Sequence, residues 1–271
     1  MTDALFRILR MSILIGLCGL LRTSFALDYY ELEVYGYQTA AEDELELENA
    51  TSWSSDNLQK FDNKIFRTSL ELTYGVSDRW EATAYFDYTK PADETFEYTA
   101  FRGHARTRFY EKGELPVDLG AYFEVELPRN YRQEDLAFEF KPIFEKDFSR
   151  WTVRLNPSVE LEHSAVDSDD GPGGTGDLDE DEDPSVQVAS PHKTWRVEWG
   201  LSSSLVYNWN ERIRPHLDWH LSFTDKASLL VPSLDINLIK HLKLTAGLGF
   251  GLTPQTERRI VLSRLEYEIY F

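Results

Sequence analysis

The 271 residues contain one cysteine, Cys18, so no internal disulfide can form. There is no run of 18 apolar residues, so no helix can be read as a bilayer span. Beyond residue 26 no helix-length segment repeats its apolar residues at a period of 3.6, and there is no Rossmann or P-loop glycine pattern. Basic residues are few: 28 Lys and Arg against 47 Asp and Glu leave a formal charge of −19, which argues against nucleic acid as a partner.

What is present begins with a secretory signal. Arg7 and Arg10 form a positive start, Met11 to Leu21 is apolar but too short to cross a bilayer, and Ser24-Phe25-Ala26 places small residues at −3 and −1. Cleavage is expected after Ala26. A lipoprotein signal centred on Cys18 is the alternative, but Leu17 stands where a small residue is needed. Cleavage removes the thiol together with three arginines and one aspartate, taking the charge from −19 to −21.

From Leu27 onward the recurring pattern is period-2 alternation. Thirteen candidate strands follow, at 29–37, 43–53, 64–76, 79–90, 97–110, 116–127, 134–148, 150–163, 192–208, 211–224, 229–239, 241–252 and 260–271. Tight links such as Gly75 to Arg79, Asp147 to Arg150 and Ile239 to His241 alternate with longer ones, the longest being 164–191. Short turns on one side and long loops on the other suit a transmembrane antiparallel β-barrel. Counting back from the last strand makes 43–53 the first, so twelve strands are expected. Residues 27–42 then lie outside the count, at the periplasmic rim or in the lumen as a plug. Along 241–252, Leu242, Leu244, Ala246, Leu248, Phe250 and Leu252 share one face against Lys243, Thr245 and three glycines. Aromatics make up 14% of the chain, enough for interfacial girdles. Pro142, Pro157, Pro215 and Pro232 interrupt this pattern on the lipid-facing parity, where each removes a ladder hydrogen bond. A secreted β-sandwich is the structural alternative, and it leaves many aromatic faces without partners.

The closing stretch IVLSRLEYEIYF places Tyr267, Ile269 and Phe271 on an apolar face and Arg264, Glu266 and Glu268 on a charged one. It resembles the terminal strand of bacterial outer-membrane barrels, which implies recognition by the barrel-assembly machinery and residence in the outer membrane of a Gram-negative cell. The strand Glu42 to Glu48, the turn Tyr74 to Glu81 and the aromatic end resemble the small outer-membrane barrels of phenol-degradation meta-pathway clusters and related transporters. That resemblance implies movement of small solutes, and no functional residue carries over from it.

The polar faces hold a ladder of both signs: Arg102, Arg106, Arg108, Asp118, Glu124, Glu126, Arg196, Glu198, Arg214, Asp218, Arg264, Glu266 and Glu268. Pairing of Arg102, Arg106 and Arg108 with Asp118, Glu124 and Glu126 would stiffen the wall, and the same groups would line a cation-favouring path. Twelve strands lie between a filled eight-stranded barrel and an open porin, so a narrow channel for small solutes is the leading reading. Second comes a non-transport structural or interaction barrel working through its acidic external loop.

Within that loop Asp167, Asp169, Asp170, Asp177, Asp179, Asp181 and Asp183 would collect divalent cations loosely. His216, Asp218 and His220 share a strand face and are competent zinc or copper ligands, although same-face neighbours stand nearly 7 Å apart. A lipid-acting barrel enzyme is the third reading. Ser203 and His163 lie on the lipid parity, with no Gly-x-Ser-x-Gly elbow near them. No other cofactor is indicated, and outer-membrane lipid is the expected surrounding partner.

Overall fold

The computed structural model describes residues 32–55, 65–129, 136–165 and 193–270. These form twelve strands: β1 (Glu44–Ser55), β2 (Ile65–Ser77), β3 (Trp80–Lys90), β4 (Glu97–Arg108), β5 (Asp118–Pro128), β6 (Leu136–Phe148), β7 (Trp151–Ala165), β8 (Lys193–Tyr207), β9 (Ile213–Ser222), β10 (Ala227–Ile239), β11 (Leu242–Gly251) and β12 (Arg259–Tyr270). Each is antiparallel to its sequence neighbours, and β1 meets β12 from Glu44↔Tyr270 to Ser55↔Arg259, so the sheet closes. Closure leaves no strand edge, which is the condition for a sheet to span hydrocarbon. The thirteenth candidate, 29–37, forms no strand over its described residues. The signal segment and its cleavage site, the loop aspartates Asp167 to Asp183, and Phe271 lie outside the described residues.

Alternation sorts the side chains. All seven tryptophans are exposed on the outside, which a water-soluble sheet would not tolerate. Trp80, Trp151 and Trp209 circle the end with short turns, while Trp53, Phe96, Trp195 and Phe223 circle the end with long loops. Leu70, Leu72, Phe123, Phe140, Leu155 and Leu248 fill the band between them. This is the aromatic-girdled apolar belt of a membrane barrel. The short turns need tight backbone, and Ser149 and His241 take positive φ at 56° and 65° to connect β6 to β7 and β10 to β11.

The register accounts for the four prolines. A strand residue points its N–H toward one neighbour only, so a proline breaks pairing on one side and keeps it on the other. Pro142 pairs with Ala121 on β5 and Pro157 with Leu201 on β8. Between β6 and β7 the ladder stops at Phe140↔Val159 and resumes at Phe144↔Leu155, and the two prolines face each other in that gap. Pro232 pairs with Leu217 on β9 and falls in a second gap, between Leu230↔Phe250 and Ser233↔Gly247 on the β11 side. Pro215 pairs with Leu234 and stands just past the last β8–β9 pair, Val206↔His216. Each missing donor therefore coincides with a place where pairing is already interrupted.

Ahead of β1 the chain enters the barrel. Leu32, Val34, Tyr35, Tyr37 and Ala40 are buried, and Asp43 takes φ 64° as the chain turns into β1. The Asp43 N–H donates to the Gly75 carbonyl at 3.0 Å. A Cβ on Gly75 would lie 1.7 Å from the Ala41 carbonyl oxygen, so only glycine lets the segment pass the rim here. Gly75→Ala is expected to lower stability by roughly 1–3 kcal/mol, the usual cost of overpacking, while the barrel still forms. Urea unfolding in lipid vesicles checks this, and an unchanged midpoint would contradict the close passage.

Candidate functional site

The inward faces of the twelve strands make a lumen lined with charge, and residues 32–43 cross it. Two buried carboxylates hold the crossing segment in the same way. Glu81 on β3 receives Arg106 Nε at 2.7 Å and the Ala40 N–H at 2.6 Å. Glu145 on β6 receives Arg154 Nε at 2.9 Å and the Tyr37 N–H at 3.2 Å. In each case an arginine neutralises the carboxylate and a backbone amide takes a remaining lone pair, which makes the burial tolerable. Gly36 passes flat against the Arg154 guanidinium, 3.0 Å from where a Cβ would stand.

Tyr35 sits at the centre. Its ring packs 4.5 Å from that of Tyr122 and edge-on to His104 at 5.8 Å. Arg106 and Lys141 lie 5.3 Å and 5.5 Å from its centroid, within cation–π range. Its hydroxyl meets the Tyr85 hydroxyl at 3.2 Å, which in turn meets His104 Nδ1 at 2.8 Å. The Asn156 amide donates to the Tyr35 carbonyl at 3.2 Å. Upstream, Glu33 pairs with Arg264, which also holds Glu48 at 2.8 Å. Leu32 joins Leu229, Val231, Ile260 and Leu262 in an apolar cluster.

Beside the segment remains a cavity of about 570 Å³. Twelve carboxylates and six Lys or Arg side chains line it, mainly from β1, β2, β9, β10, β11 and β12. Cross-strand pairing puts Glu46 opposite Glu268 and Glu48 opposite Glu266 where the barrel closes. Lys243 pairs with Glu266, and Arg214 reaches Asp235 at 3.4 Å. Lys112, from the turn between β4 and β5, folds into the mouth and binds Glu145 at 2.8 Å and Asp147 at 2.9 Å. Burial alone would lower the Lys112 pKa, but the two carboxylates outweigh it and raise the value.

The predicted ladder divides between two levels. Arg106, Arg214, Asp218, Arg264, Glu266 and Glu268 line the cavity. Nearer the long loops, Glu124, Glu139, Glu160 and Glu198 stand opposite one another across β5 to β8. Like charges in direct cross-strand pairs repel. Lys141 pairs with Glu139 at 2.8 Å, and Arg196 pairs with both Glu198 at 3.1 Å and Asp225 at 3.0 Å. Glu126 stands opposite Arg102 in the register.

The pairing expected for the β4 arginines is met at Arg102 and differs at Arg106 and Arg108. Arg102 reaches Glu124 at 3.7 Å, but its short contact is with Asp87 on β3 at 2.6 Å. Arg106 turns to Glu81, also on β3, and Arg108 to Glu111 in the following turn at 3.0 Å, while Asp118 accepts from the Gly113 N–H at 2.7 Å. Arg102 and Arg106 thus make their short contacts with the preceding strand.

The metal reading is also corrected. His216 bridges Asp218 at 2.9 Å and Asp235 at 3.3 Å, while His220 Nδ1 meets Ser202 at 2.9 Å. Among the described residues no three ligands gather as an ion would require. On the outer face Ser203 stands opposite Leu155 and His163 opposite Trp195, eight residues apart along β7, so no Ser–His pair forms. Tyr267 is exposed on the outer face, opposite Leu47, and Ile269 shares its parity opposite Leu45.

The role of Tyr35 and Tyr37 was not legible as site chemistry, because their alternation reads as one more strand. Lys112 gives no sequence signal at all.

Comparison of the whole structure finds the same fold in bacterial outer-membrane channels. An outer membrane channel from Pseudomonas putida matches with a TM-score of 0.55 at 11% identity, over 88% of this chain and 100% of that one. The KdgM porin matches with a TM-score of 0.53 at 7% identity, over 83% and 99%. The NanC porin matches with 0.51 at 8%, over 84% and 99%. No family model and no curated protein matches in sequence, so the likeness to the meta-pathway group is one of pattern only.

Arg102 and Asp87 are each 1% exposed. Arg102→Ala alone is expected to cost about 3–5 kcal/mol by stranding the buried carboxylate, and adding Asp87→Ala should recover much of it. Equilibrium unfolding of the two variants in lipid vesicles reads the difference, and an equal loss in both would sink the ion-pair account. Because the Lys112 pKa is raised on folding, its contribution is full below the ordinary lysine value of about 10.4 and fades only as pH climbs through the raised one. The stability gap between wild type and Lys112→Met should therefore stay constant to about pH 10 and shrink above it.

Proposed function

We propose that the protein is an outer-membrane channel for small solutes, narrow and net acidic inside, which favours cations over anions. The observation that carries this reading is the 570 Å³ cavity lined by twelve carboxylates and six Lys or Arg groups inside a closed barrel. In a confined space of low dielectric an excess of one sign attracts counter-ions and repels co-ions over the whole lumen. Twelve strands leave room for such a path but not for a wide pore.

The remaining features suit the same setting. The apolar belt between aromatic girdles fits outer-membrane lipid, and the end with short turns would face the periplasm. The outward Tyr267 and Ile269 on the last strand fit recognition by the barrel-assembly machinery.

Planar-bilayer recording of the refolded mature protein in a salt gradient tests the reading. The expected result is discrete openings whose reversal potential shows cation preference. Glu268 lines the cavity near the barrel seam, so Glu268→Gln should reduce that preference without abolishing openings. A folded, inserted barrel that never conducts would defeat the proposal.

A further inference from the structure

The wall of the lumen carries features that a water-filled pore has no use for. Leu229, Val231, Ile260 and Leu262 point inward and are 0–8% exposed, with Leu32 packed among them. Lumen faces of such barrels are ordinarily polar. The buried carboxylates Glu81 and Glu145 each offer an oxygen to a backbone amide of the crossing segment. Asn156 offers its amide to a backbone carbonyl of the same segment. Tyr122, Tyr85, His104 and Lys141 form a nest around one tyrosine ring. Together they recognise an extended peptide by its main chain, its aromatic ring and its leading aliphatic residue.

We infer that this wall is a peptide-binding groove and that residues 32–41 are its removable occupant, a gate built from the chain's own N-terminal segment. This rests on the channel reading above. Ten extended residues reach roughly 33 Å, about the hydrocarbon thickness.

The way the segment is held says how it leaves. Among the described residues, no backbone-to-backbone hydrogen bond joins 32–40 to the barrel, so withdrawal breaks no rung of the wall. The tether lies at the other end. There the Asp43 N–H donates to Gly75, the Tyr74 hydroxyl donates to Asp43 at 2.6 Å, and the positive φ of Asp43 marks the bend. The segment swings about residues 41–43 while the barrel stays closed. The ligand class follows from the occupant: an extended peptide with an aliphatic residue, a carboxylate and two alternate tyrosines, as in Leu32-Glu33-Val34-Tyr35-Gly36-Tyr37.

The test uses the full mature chain carrying Leu32→Cys and Leu262→Cys, which has no other thiol once the signal is removed. In a planar bilayer the reduced protein is expected to show large openings that oxidation abolishes and reductant restores. A synthetic peptide of residues 27–41 should block the reduced protein, and the same peptide with Tyr35→Ala should block at least tenfold more weakly. If oxidised and reduced protein conduct alike, the gate is overturned while the channel reading stands. If neither conducts, the channel reading fails, and hydrogen exchange of the Tyr37 and Ala40 amides decides the groove on its own. Exchange much faster than in β3 and β4 supports a removable occupant, and exchange as slow as the strands overturns it.

Discussion

The structure depends on the meeting of β1 with β12. No turn joins these strands, so side chains must set their register, and a slip of one residue would exchange the inner and outer faces of a whole strand. The seam has devices for this. On the outer face the Thr51 and Ser263 hydroxyls meet across the seam at 2.7 Å, and Thr51 also reaches the Ser263 carbonyl at 3.3 Å. These polar groups sit in an otherwise apolar belt, but they satisfy one another, so their cost in lipid is reduced and only one register satisfies them. Once the seam is fixed, every other pairing follows from short connections along the chain.

Closure also creates the problem that the lumen solves. A ring of twelve strands brings inward side chains from all sides into one space, and this sequence supplies more carboxylates than cations there. Left unpaired, a buried carboxylate costs several kcal/mol. The wall answers with arginines that lean across to the preceding strand, with Lys112 folded in from a turn, and with backbone amides of the crossing segment. The apolar patch on β10 and β12 belongs to the same solution, since it would be exposed to water without Leu32.

The fold was legible because barrel physics leaves a simple trace. Alternation, short and long links, and an apolar face ending in aromatics are local properties of the sequence, and they survive without knowledge of which strands touch. Pairing partners are not local in this sense. Both walls flanking β4 offer acids, and the turn of Arg106 to Glu81 on β3 is made by side-chain direction, which alternation does not encode. The prolines show the same limit. Each one alone reads as a defect, and only the register reveals that Pro142 and Pro157 face each other and share one gap. For residues 27–42 the lumen was one of two places expected, but the contacts were not legible: Glu33 to Tyr37 alternates like a strand, yet its neighbours are side chains of the wall instead of another ladder.

The charges that hold the crossing segment share one property that bears on its movement. Arg106 keeps Glu81 when Ala40 is gone, and Arg154 and Lys112 keep Glu145 when Tyr37 is gone. Arg264 keeps Glu48 when Glu33 is gone. Departure of the segment therefore strands no charge in the wall, and what is lost is two amide bonds, the carbonyl bonds of Tyr35 and Gly36, the hydroxyl bonds of Tyr35 and Thr39, an ion pair shared by two acids, and the burial of Leu32, Val34, Tyr35 and Tyr37. A segment that completed the wall's charge balance would be locked in place by the penalty for leaving ions unpaired. Here the balance is closed without it, so its hold on the wall rests on polar contacts that water can replace and on the apolar cover that Leu32 gives the β10 and β12 patch.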